Sequence, residues 1–274
     1  MHNNQIDPYL YPDVPVLINK LGIKDDELLA KAEVDITCKA IYEIAAFPVE
    51  GSYDFNHFCE FHKLIFDEVY EWAGVPRTVP IEKHEAALGY MSIEYAQPDN
   101  IKRDAGTILN KMTSVEKWKT LDTEDLAAAV SCYMAELWRI HPFRDGNTRT
   151  TITFICQYFE SIGILMDREL FEQNAGYMRT ALVAASALYS DVDLRKSDYL
   201  VRIVKDSLES GLAMHKARHN TVSYPQRAIK QKVSGEKPSV LEAIRRDKEQ
   251  RKHTSQPAKP LESRKSKSRG DDGR

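Results

Sequence analysis

The stretch DTEDLAAAVSCYMAELWRIHPFRDGNTRTTITFICQYFESIG, residues 122–163, contains two helical patterns joined by a short loop. The first pattern begins at Asp122 with acidic residues in its first turn, which the helix dipole favours. The second begins near Thr148 and ends at Gly163. Apolar residues recur at helical spacing in both patterns, at Leu126, Val130, Tyr133 and Leu137 and then at Ile152, Ile155, Phe159 and Ile162. The stretch therefore predicts a helix, a loop and a second helix.

The loop between these helices, HPFRDGN, has the backbone chemistry of an anion site. His141 closes the first helix, and Pro142 prevents the regular backbone hydrogen bonding from continuing. Gly146 and Asn147 adopt unusual backbone angles easily, so successive N–H groups can turn inward as an anion nest. The next helix begins at the same point, and its free N–H groups and positive dipole end favour the same anion.

Three side chains add further chemistry to this nest. Arg149 supplies a positive charge, Asp145 can hold a hard cation such as Mg²⁺, and His141 can accept a proton at neutral pH. Each feature alone also has a structural explanation, since a histidine can end a helix, a Gly-Asn pair can form a turn and Asp145 can cap a helix. Their combination within ten residues indicates a phosphate-transfer site.

Residues from about 10 to 210 are mostly helical in pattern. A helix starts after Asp25 or Asp26, and a second runs from about residue 54 to Gly74. Further helices are expected around 168–187 and 196–214. Segment 76–90 differs, because two prolines, a glycine and short alternation predict a β-hairpin or extended flap.

The cysteines, the first residues and the hydropathy bear on the compartment. The four cysteines contain no CxxC pair, and we expect buried free thiols rather than disulfides or a zinc site, at Cys38, Cys59, Cys132 and Cys156. That pattern suits a reducing cytosol. The start, MHNNQIDPYL, lacks the basic head and apolar run of a signal peptide, and no run of about 18 apolar residues occurs. We therefore expect a cytoplasmic protein with no membrane span.

The last part of the chain has a different composition. Residues 221–274 carry 15 Lys and Arg against 7 Asp and Glu, a balance of +8, whereas the whole chain has a formal charge of −3. Four prolines interrupt this Lys/Ser/Gln-rich segment, which cannot bury enough apolar surface to fold alone. We expect a folded domain over 1–215 and a basic, largely disordered tail over 216–274. A capping-box pattern predicts one possible short helix over 239–252.

The loop resembles the signature of Fic-domain proteins, His-Pro-Phe-x-(Asp/Glu)-Gly-Asn-Gly-Arg-x-x-Arg. The matching positions are His141, Pro142, Phe143, Asp145, Gly146, Asn147 and Arg149. Segment 55–81, with its Trp-Ala-Gly-x-x-Arg, is similar to the helix and flap entry of that family. Segment 7–23 is similar to the start of bacterial members called cell filamentation proteins. The resemblance covers about residues 7 to 205.

The resemblance implies an all-α Fic-type helical domain with a small β-hairpin flap over 76–90, a signature loop over 141–152 and a disordered C-terminal tail. It implies a protein adenylyltransferase that transfers AMP from ATP to a Ser, Thr or Tyr hydroxyl of a target protein and releases pyrophosphate, with Mg²⁺ as cofactor. His141 would be the general base and Asp145 the metal ligand.

The same resemblance assigns the remaining site residues. The nucleotide would be bound by Gly146, Asn147, Thr148 and Arg149. The flap would position the target segment by strand-like pairing, through Val79, Pro80, Ile81, Glu82 and Lys83. A purely structural hairpin is the alternative for the flap.

The sequence departs from the signature at two positions. Thr148 replaces the second glycine, and its Cβ would narrow the nest and restrict positive φ. Ile152 replaces the final arginine, which in the family holds the terminal phosphate and is grasped by the glutamate of an inhibitory helix. The only Glu-Gly or Glu-Asn pair is Glu50-Gly51, and Ala46 stands where the inhibitory motif needs a hydroxyl. We therefore expect neither this arginine nor its inhibitor.

Two alternative functions stay open at this point. One is a related transferase that moves phosphate or uses another nucleotide donor, and the other is a Fic scaffold that has lost catalysis and binds a partner. The expected partner is a hydroxyl-bearing target protein, a separate regulator is a second candidate, and no membrane partner is expected. Nucleic acid is a candidate partner only through the basic tail, which carries no aromatic residue after Tyr224 for base stacking.

Overall fold

The computed structural model describes residues 7–114, 116 and 118–220. Within these residues the fold is helical, and β structure is limited to the isolated bridges Leu10–Leu17 and Leu188–Asp193. The α-helices are α1 (Asp26–Ala46), α2 (Phe55–Phe66), α3 (Ile101–Thr113), α4 (Thr123–Ile140), α5 (Asn147–Ser161), α6 (Arg168–Gln173), α7 (Ala175–Ala185) and α8 (Asp198–Asn220). Single 3₁₀ turns lie at Ala86–Leu88, Pro98–Asn100 and Trp118–Thr120. The predicted all-α class is confirmed.

Helix α4 lies at the centre of the fold. It packs against α3, α5, α7 and α8, while α2 packs on α5 and α1 covers α2. Asp122 caps α4 by accepting a hydrogen bond from the Asp125 N–H at 2.9 Å, as its position in the sequence predicts. The α4 side chains that are completely enclosed include Val130, Met134, Leu137 and Trp138. Burial of this stripe holds the end of α4, and with it residue 141, in a fixed place.

The predicted start of α1 and the predicted end of α5 agree with the structure. Asp25, not Asp26, is the cap of α1, and its carboxylate accepts from the Leu28 N–H at 2.8 Å. Helix α5 ends at Ser161, and Gly163 follows with a φ of +80°, a left-handed value that suits the stop.

Helix α2 is shorter than predicted. It ends at Phe66 instead of near Gly74, and successive turns follow in which the Val69 and Tyr70 N–H groups both bond to the Phe66 carbonyl. The turns bury Val69 and Tyr70 in the core. Apolar residues therefore continue at helical spacing in the sequence although the helix has ended. Gly74, at a φ of +79°, then donates its N–H to His62 Nδ1 at 2.8 Å and returns the chain to α2.

The flap contains no β-strands, so the predicted hairpin is wrong in its secondary structure. Extended segments flank the 3₁₀ turn Ala86–Leu88, and Glu85 pairs with Tyr90 and Met91 through one backbone hydrogen bond to each. Pro76 and Pro80 have no N–H to donate to a ladder. The positive φ of Tyr90, 69°, ends the local pairing at the tip.

The helix predicted over 168–187 is two helices, α6 and α7, which Asn174 separates. The Asn174 side chain donates to the Leu170 carbonyl at 2.8 Å and so competes with the backbone at the break. The sequence pattern had not singled out α3. The predicted helix over 196–214 corresponds to α8. Most of the predicted tail, including segment 239–252, lies outside the described residues.

The cysteines are free, as expected, but only Cys156 is buried; Cys59 is half-buried, and Cys38 and Cys132 are exposed. The expectation of buried thiols is therefore wrong for Cys38 and Cys132, and Cys38 faces the cavity described below. None of the helices in the described ranges combines the length and the apolar character that crossing a membrane requires.

The turn at Gly74 leads to a first prediction about stability. A Cβ there would lie 2.8 Å from Lys63 Cβ and 3.0 Å from the Cys59 carbonyl oxygen, at a backbone angle that L-residues avoid. Gly74→Ala should lower the free energy of unfolding by about 1–3 kcal/mol, measured by urea denaturation. The control is Gly106→Ala within α3, where a Cβ meets nothing within 4 Å, and it should raise the value by up to about 1 kcal/mol. Equal stabilities for the two variants would contradict this account of the turn.

Candidate active site

His141 ends helix α4 in a left-handed conformation, with φ 50° and ψ 60°. This conformation is costly for a residue that carries a Cβ, so the surrounding structure must hold it. Arg77 does so from the start of the flap: its Nε donates to the His141 carbonyl at 2.9 Å and its backbone N–H donates to the Pro142 carbonyl at 2.7 Å. The imidazole therefore leaves the helix at an angle set by contacts from another segment.

The His141 imidazole is buried, and its two nitrogens have different surroundings. Nδ1 lies 3.3 Å from the Trp138 carbonyl, which can only accept, so Nδ1 carries the hydrogen. Nε2 then holds the lone pair and has no hydrogen-bond partner in the described part of the chain. Burial, followed by the nearby Lys83 ammonium, holds the pKa of His141 well below its usual value. The ring is thus a neutral imidazole with its basic nitrogen free.

Asp145 faces the same space as His141. Its side chain is 42% exposed, and Oδ1 lies 2.6 Å from the Gly146 nitrogen and 3.8 Å from Lys83 Nζ. Burial alone would raise the pKa of this carboxyl, but Lys83, the Gly146 N–H and Arg149 lower it to about 2. Asp145 is therefore ionised, and its Oδ2 has no hydrogen bond or ion pair with the residues that the structure describes.

The acid groups near the loop bear on the expected magnesium site. Among the described residues no cluster of three or more His, Cys, Asp and Glu side chains could hold a metal by itself. Mg²⁺ commonly binds through one or two carboxylates, substrate phosphates and water, so a single ionised carboxylate beside an anion site fits this ion. Asp145 is the residue that would hold it.

The start of α5 forms the anion site. Gly146 is its N-cap with a φ of +79°, and a Cβ there would lie 2.4 Å from ring carbons of Phe66. The first backbone N–H to bond within the helix is that of Thr150, to the Gly146 carbonyl at 3.1 Å. The N–H groups of Asn147, Thr148 and Arg149 have no acceptor among the described residues. Gly146 itself differs from its predicted role, because its N–H is already bonded to Asp145.

The Asn147 side chain is structural. Its Oδ1 accepts from the Phe143 N–H at 2.9 Å and its Nδ2 donates to the Phe143 carbonyl at 2.8 Å. This pair of bonds closes the loop on itself and leaves only the backbone N–H of Asn147 for a ligand. His62 supports the loop from below, with Nε2 3.0 Å from the Asp145 carbonyl. Sequence patterns had not assigned His62 to the site, although it lies on the buried stripe of α2.

Thr148 fits without backbone strain. Positive φ values occur at His141 and Gly146, and Thr148 lies in the first turn of α5 with ordinary helical geometry. The expectation that the Thr148 Cβ conflicts with a positive φ is therefore wrong, because the residue with positive φ is Gly146, the N-cap of α5. Ile152 lies one turn further along α5 and lines the cavity described below.

Arg149 is not a free cation. Its Nη2 forms an ion pair with Glu33 of α1, its Nη1 donates to Thr37 Oγ1 at 2.9 Å, and its guanidinium lies 4.6 Å from the centre of the Phe66 ring. The hydroxyl of Tyr70 also donates to Glu33. Glu33 and Thr37 were not predicted for the site. The sequence feature that could have indicated them is a pair of polar residues four positions apart on the inner side of α1.

A cavity of about 630 Å³ joins these groups, and its volume is that of a typical small-ligand site. The loop from His141 to Arg149 forms part of its lining. The lining also includes apolar or thiol side chains from α1, α5 and α6, namely Val34, Cys38, Ile41, Ile152, Cys156 and Phe171. The cavity therefore combines an anion site with apolar surface.

The flap lies beside this cavity. Val79, Pro80, Ile81, Glu82 and Lys83 line a second cavity of about 340 Å³ together with Asp7 and Arg144, and Lys83 lines both cavities. Arg77 joins the start of the flap to the segment that follows it, because its Nη1 donates to the Val79 carbonyl at 2.8 Å and its Nη2 donates to the Ala96 carbonyl. Within the described residues, the N–H groups of Ile81 and Glu82 have no hydrogen-bond partner.

Comparison with known proteins gives a consistent family. The model of the Fic/DOC family matches residues 52–159. The protein adenylyltransferase VbhT of Bartonella schoenbuchensis is 32% identical over 167 residues, which are 61% of this chain and 34% of VbhT. The probable protein adenylyltransferase y4lH of Sinorhizobium fredii is 31% identical over 172 residues, which are 62% of this chain and 84% of y4lH. The chain thus spans about a third of VbhT and most of y4lH.

Solved structures share the fold. The N-terminal Fic domain of a VirB-translocated Bep effector from Bartonella quintana, with bound ADP, has a TM-score of 0.61 at 21% identity, covering 75% of this chain and 97% of that one. BepC from Bartonella tribocorum, with bound AMPPNP, has a TM-score of 0.58 at 22% identity, covering 73% and 95%. The resemblance that the signature loop predicts is confirmed.

The buried histidines of the site predict a pH-dependent stability. The pKa of His62 is lowered to about 3 and that of His141 well below its usual value, mainly by burial. The unfolded chain therefore binds more protons than the native one below about pH 6.5, and the free energy of unfolding decreases as pH falls. Between pH 7 and pH 5 the loss should reach up to about 2 kcal/mol for each histidine, measured by urea denaturation.

The variant His141→Ala should show a smaller decrease over the same interval, because one of the buried histidines with a lowered pKa is gone. His84→Ala, at an exposed position, is the control and should keep the full decrease. A wild-type stability that is the same at both pH values would contradict the neutral, buried state of these rings.

Proposed function

This chain belongs to the Fic/DOC family, and we propose that it is a protein adenylyltransferase that transfers AMP from ATP to a hydroxyl of a target protein. The names of the relatives VbhT and y4lH agree with this activity. The observation that carries the proposal is that a free basic nitrogen and a set of free N–H donors occur in one cavity. Within the described residues, the basic Nε2 of His141 and the first three N–H groups of α5 have no partner, and all of these residues line one cavity.

The reaction that these groups support is an in-line displacement at the α-phosphorus of ATP. His141 Nε2 takes the proton from the hydroxyl of the target, and the hydroxyl oxygen attacks the phosphorus. The new P–O bond joins AMP to the side chain, and the bond to the β-phosphate oxygen breaks, so that pyrophosphate leaves with the electron pair. The Nδ1–H of His141 bonded to the Trp138 carbonyl keeps Nε2 as the basic nitrogen before the step.

The anion site holds the phosphates during this step. The N–H groups of Asn147, Thr148 and Arg149 point at the developing charge together with the positive end of the α5 dipole. Asp145 is the ligand for Mg²⁺, which when bound neutralises phosphate charge. The apolar side chains that line the cavity suit the nucleoside part of the donor.

The flap positions the target. Ile81 and Glu82 carry unpaired backbone N–H groups beside Lys83, which reaches into the nucleotide cavity. An extended target segment that pairs with these groups would bring its Ser, Thr or Tyr side chain to His141. Arg77 bonds to the start of the flap, to the segment after the flap and to the His141 carbonyl, so it fixes the position of the flap relative to the imidazole.

The position of the label in ATP tests the activity. The protein is incubated with a bacterial lysate, Mg²⁺ and ATP that is labelled at the α- or the γ-phosphate, and protein-bound label is measured. Label from the α-phosphate only is expected, with a loss of at least about 100-fold in His141→Ala, which removes the base. Asp145→Ala should also abolish labelling.

Two other results decide between the alternatives. Label from the γ-phosphate only would replace the proposal with phosphate transfer. No label that depends on His141, from either position, would favour a scaffold without catalysis. His84→Ala, an exposed histidine of the flap tip, is the matched control for loss of an imidazole.

The Glu33–Arg149 pair predicts an effect on nucleotide affinity. Glu33 holds the guanidinium that would otherwise contact phosphate. Glu33→Gln removes this competing charge and should tighten ADP binding about three- to tenfold, measured by titration calorimetry. Glu27→Gln removes the same charge from an exposed position of α1 and should leave the affinity unchanged. Weaker binding in Glu33→Gln would instead make the ion pair part of the site.

A further inference from the structure

The hydroxyl of Thr148 is held by the indole of Trp138. Trp138 Nε1 lies 2.9 Å from Thr148 Oγ1, and an indole N–H can only donate, so the hydroxyl oxygen is the acceptor. A hydroxyl can accept hydrogen bonds and also donate one, so the Thr148 hydroxyl can still donate its hydrogen to a second partner. Trp138 is completely buried in α4 and cannot move away easily. The orientation of the Thr148 side chain is therefore set from the core.

The hydrogen of this hydroxyl has no acceptor in the described part of the chain, unlike those of two other threonines in α5. Thr150 donates to the Gly146 carbonyl at 3.0 Å and Thr153 donates to the Arg149 carbonyl at 2.8 Å, each four residues back. The residue four positions before Thr148 is Arg144, which lies in the loop before the helix. Thr148 thus lacks the usual internal use of a helical hydroxyl.

Thr148 also lines the cavity, together with His141 and Asp145. It is the second residue of α5, at the end where three consecutive N–H groups have no protein acceptor. A hydroxyl hydrogen at this place joins the same set of donors. The feature lies at a position where the family signature has glycine, which has no side chain to contribute.

We propose that the Thr148 hydroxyl donates a hydrogen bond to a phosphate oxygen of the nucleotide donor, and that Trp138 is the positioning residue that aims it. This inference rests on the proposed function, since it names an additional ligand contact of the same site. The contact is neutral, so it adds phosphate recognition without adding charge. It lies one turn before Ile152, where the signature would have placed a cation.

The hydroxyl is tested by near-isosteric replacement. ADP binding to the full chain is measured by titration calorimetry with Mg²⁺ for the wild type, Thr148→Val and Thr148→Ser. Loss of a hydrogen bond to a charged phosphate should weaken binding about tenfold or more in Thr148→Val. Thr148→Ser keeps the hydroxyl and should stay within about threefold of the wild type.

A matched control lies in the same helix. Thr151 is buried, its Oγ1 has no partner, and it does not line the cavity, so Thr151→Val makes the same chemical change away from the ligand. Its affinity for ADP should equal that of the wild type. Thr148→Gly is a second variant without the hydroxyl, for use if the valine disturbs folding in a thermal melt, and it should bind as weakly as Thr148→Val.

The outcomes separate this inference from the proposed function. If Thr148→Val and Thr148→Gly both bind ADP as tightly as the wild type does, the inference is overturned while the nucleotide site stands. If Thr148→Ser is as weak as Thr148→Val, the methyl group and not the hydroxyl matters, and the inference is again overturned. If the wild type binds neither ADP nor ATP, the proposed function fails, and the contact fails with it.

Discussion

The buried guanidinium of Arg77 is the contact on which the arrangement of the site depends. It donates to the carbonyls of His141, Val79 and Ala96, which belong to the signature loop, to the start of the flap and to the segment after the flap. Burial lowers the pKa of Arg77 to about 10, so the group stays charged at neutral pH. A buried charge is costly unless it is well bonded, and here three backbone carbonyls offset that cost. The loop that carries His141 and the flap are therefore held together as one unit.

The polar groups of the loop divide into two sets. One set is satisfied within the protein: the Asn147 side chain closes the loop on Phe143, and His62 holds the Asp145 carbonyl. The other set has no partner within the described residues, namely the His141 Nε2 and the first N–H groups of α5. Buried polar groups are rarely left unpaired in folded proteins. These groups of the loop belong to residues that line the same cavity, which is the place proposed above for the nucleotide.

Local signals predicted the two helices around the loop and the chemistry of the loop itself, because caps such as Asp122 and stops such as Gly163 act within a few residues. The early end of α2 and the irregular flap were not predictable in this way, since turns can bury apolar residues at helical spacing and proline only limits pairing. The ion pair of Arg149 with Glu33 and the bond between Trp138 and Thr148 were also missed. Both depend on contacts between helices, which no periodicity encodes.

The charges around the cavity constrain what it binds. Each Lys or Arg that lines it in the described chain already has a carboxylate partner, in the pairs Lys83–Asp145, Arg149–Glu33, Arg168–Glu160 and Arg179–Glu85. An incoming polyphosphate therefore meets little free positive charge, and Ile152 adds none. Attraction must come from the uncharged donors at the start of α5, from rearrangement of an ion pair, or from a cation that arrives with the ligand. The ionised Asp145 makes the last route physically favourable, because it repels bare phosphate and attracts the metal-bound form.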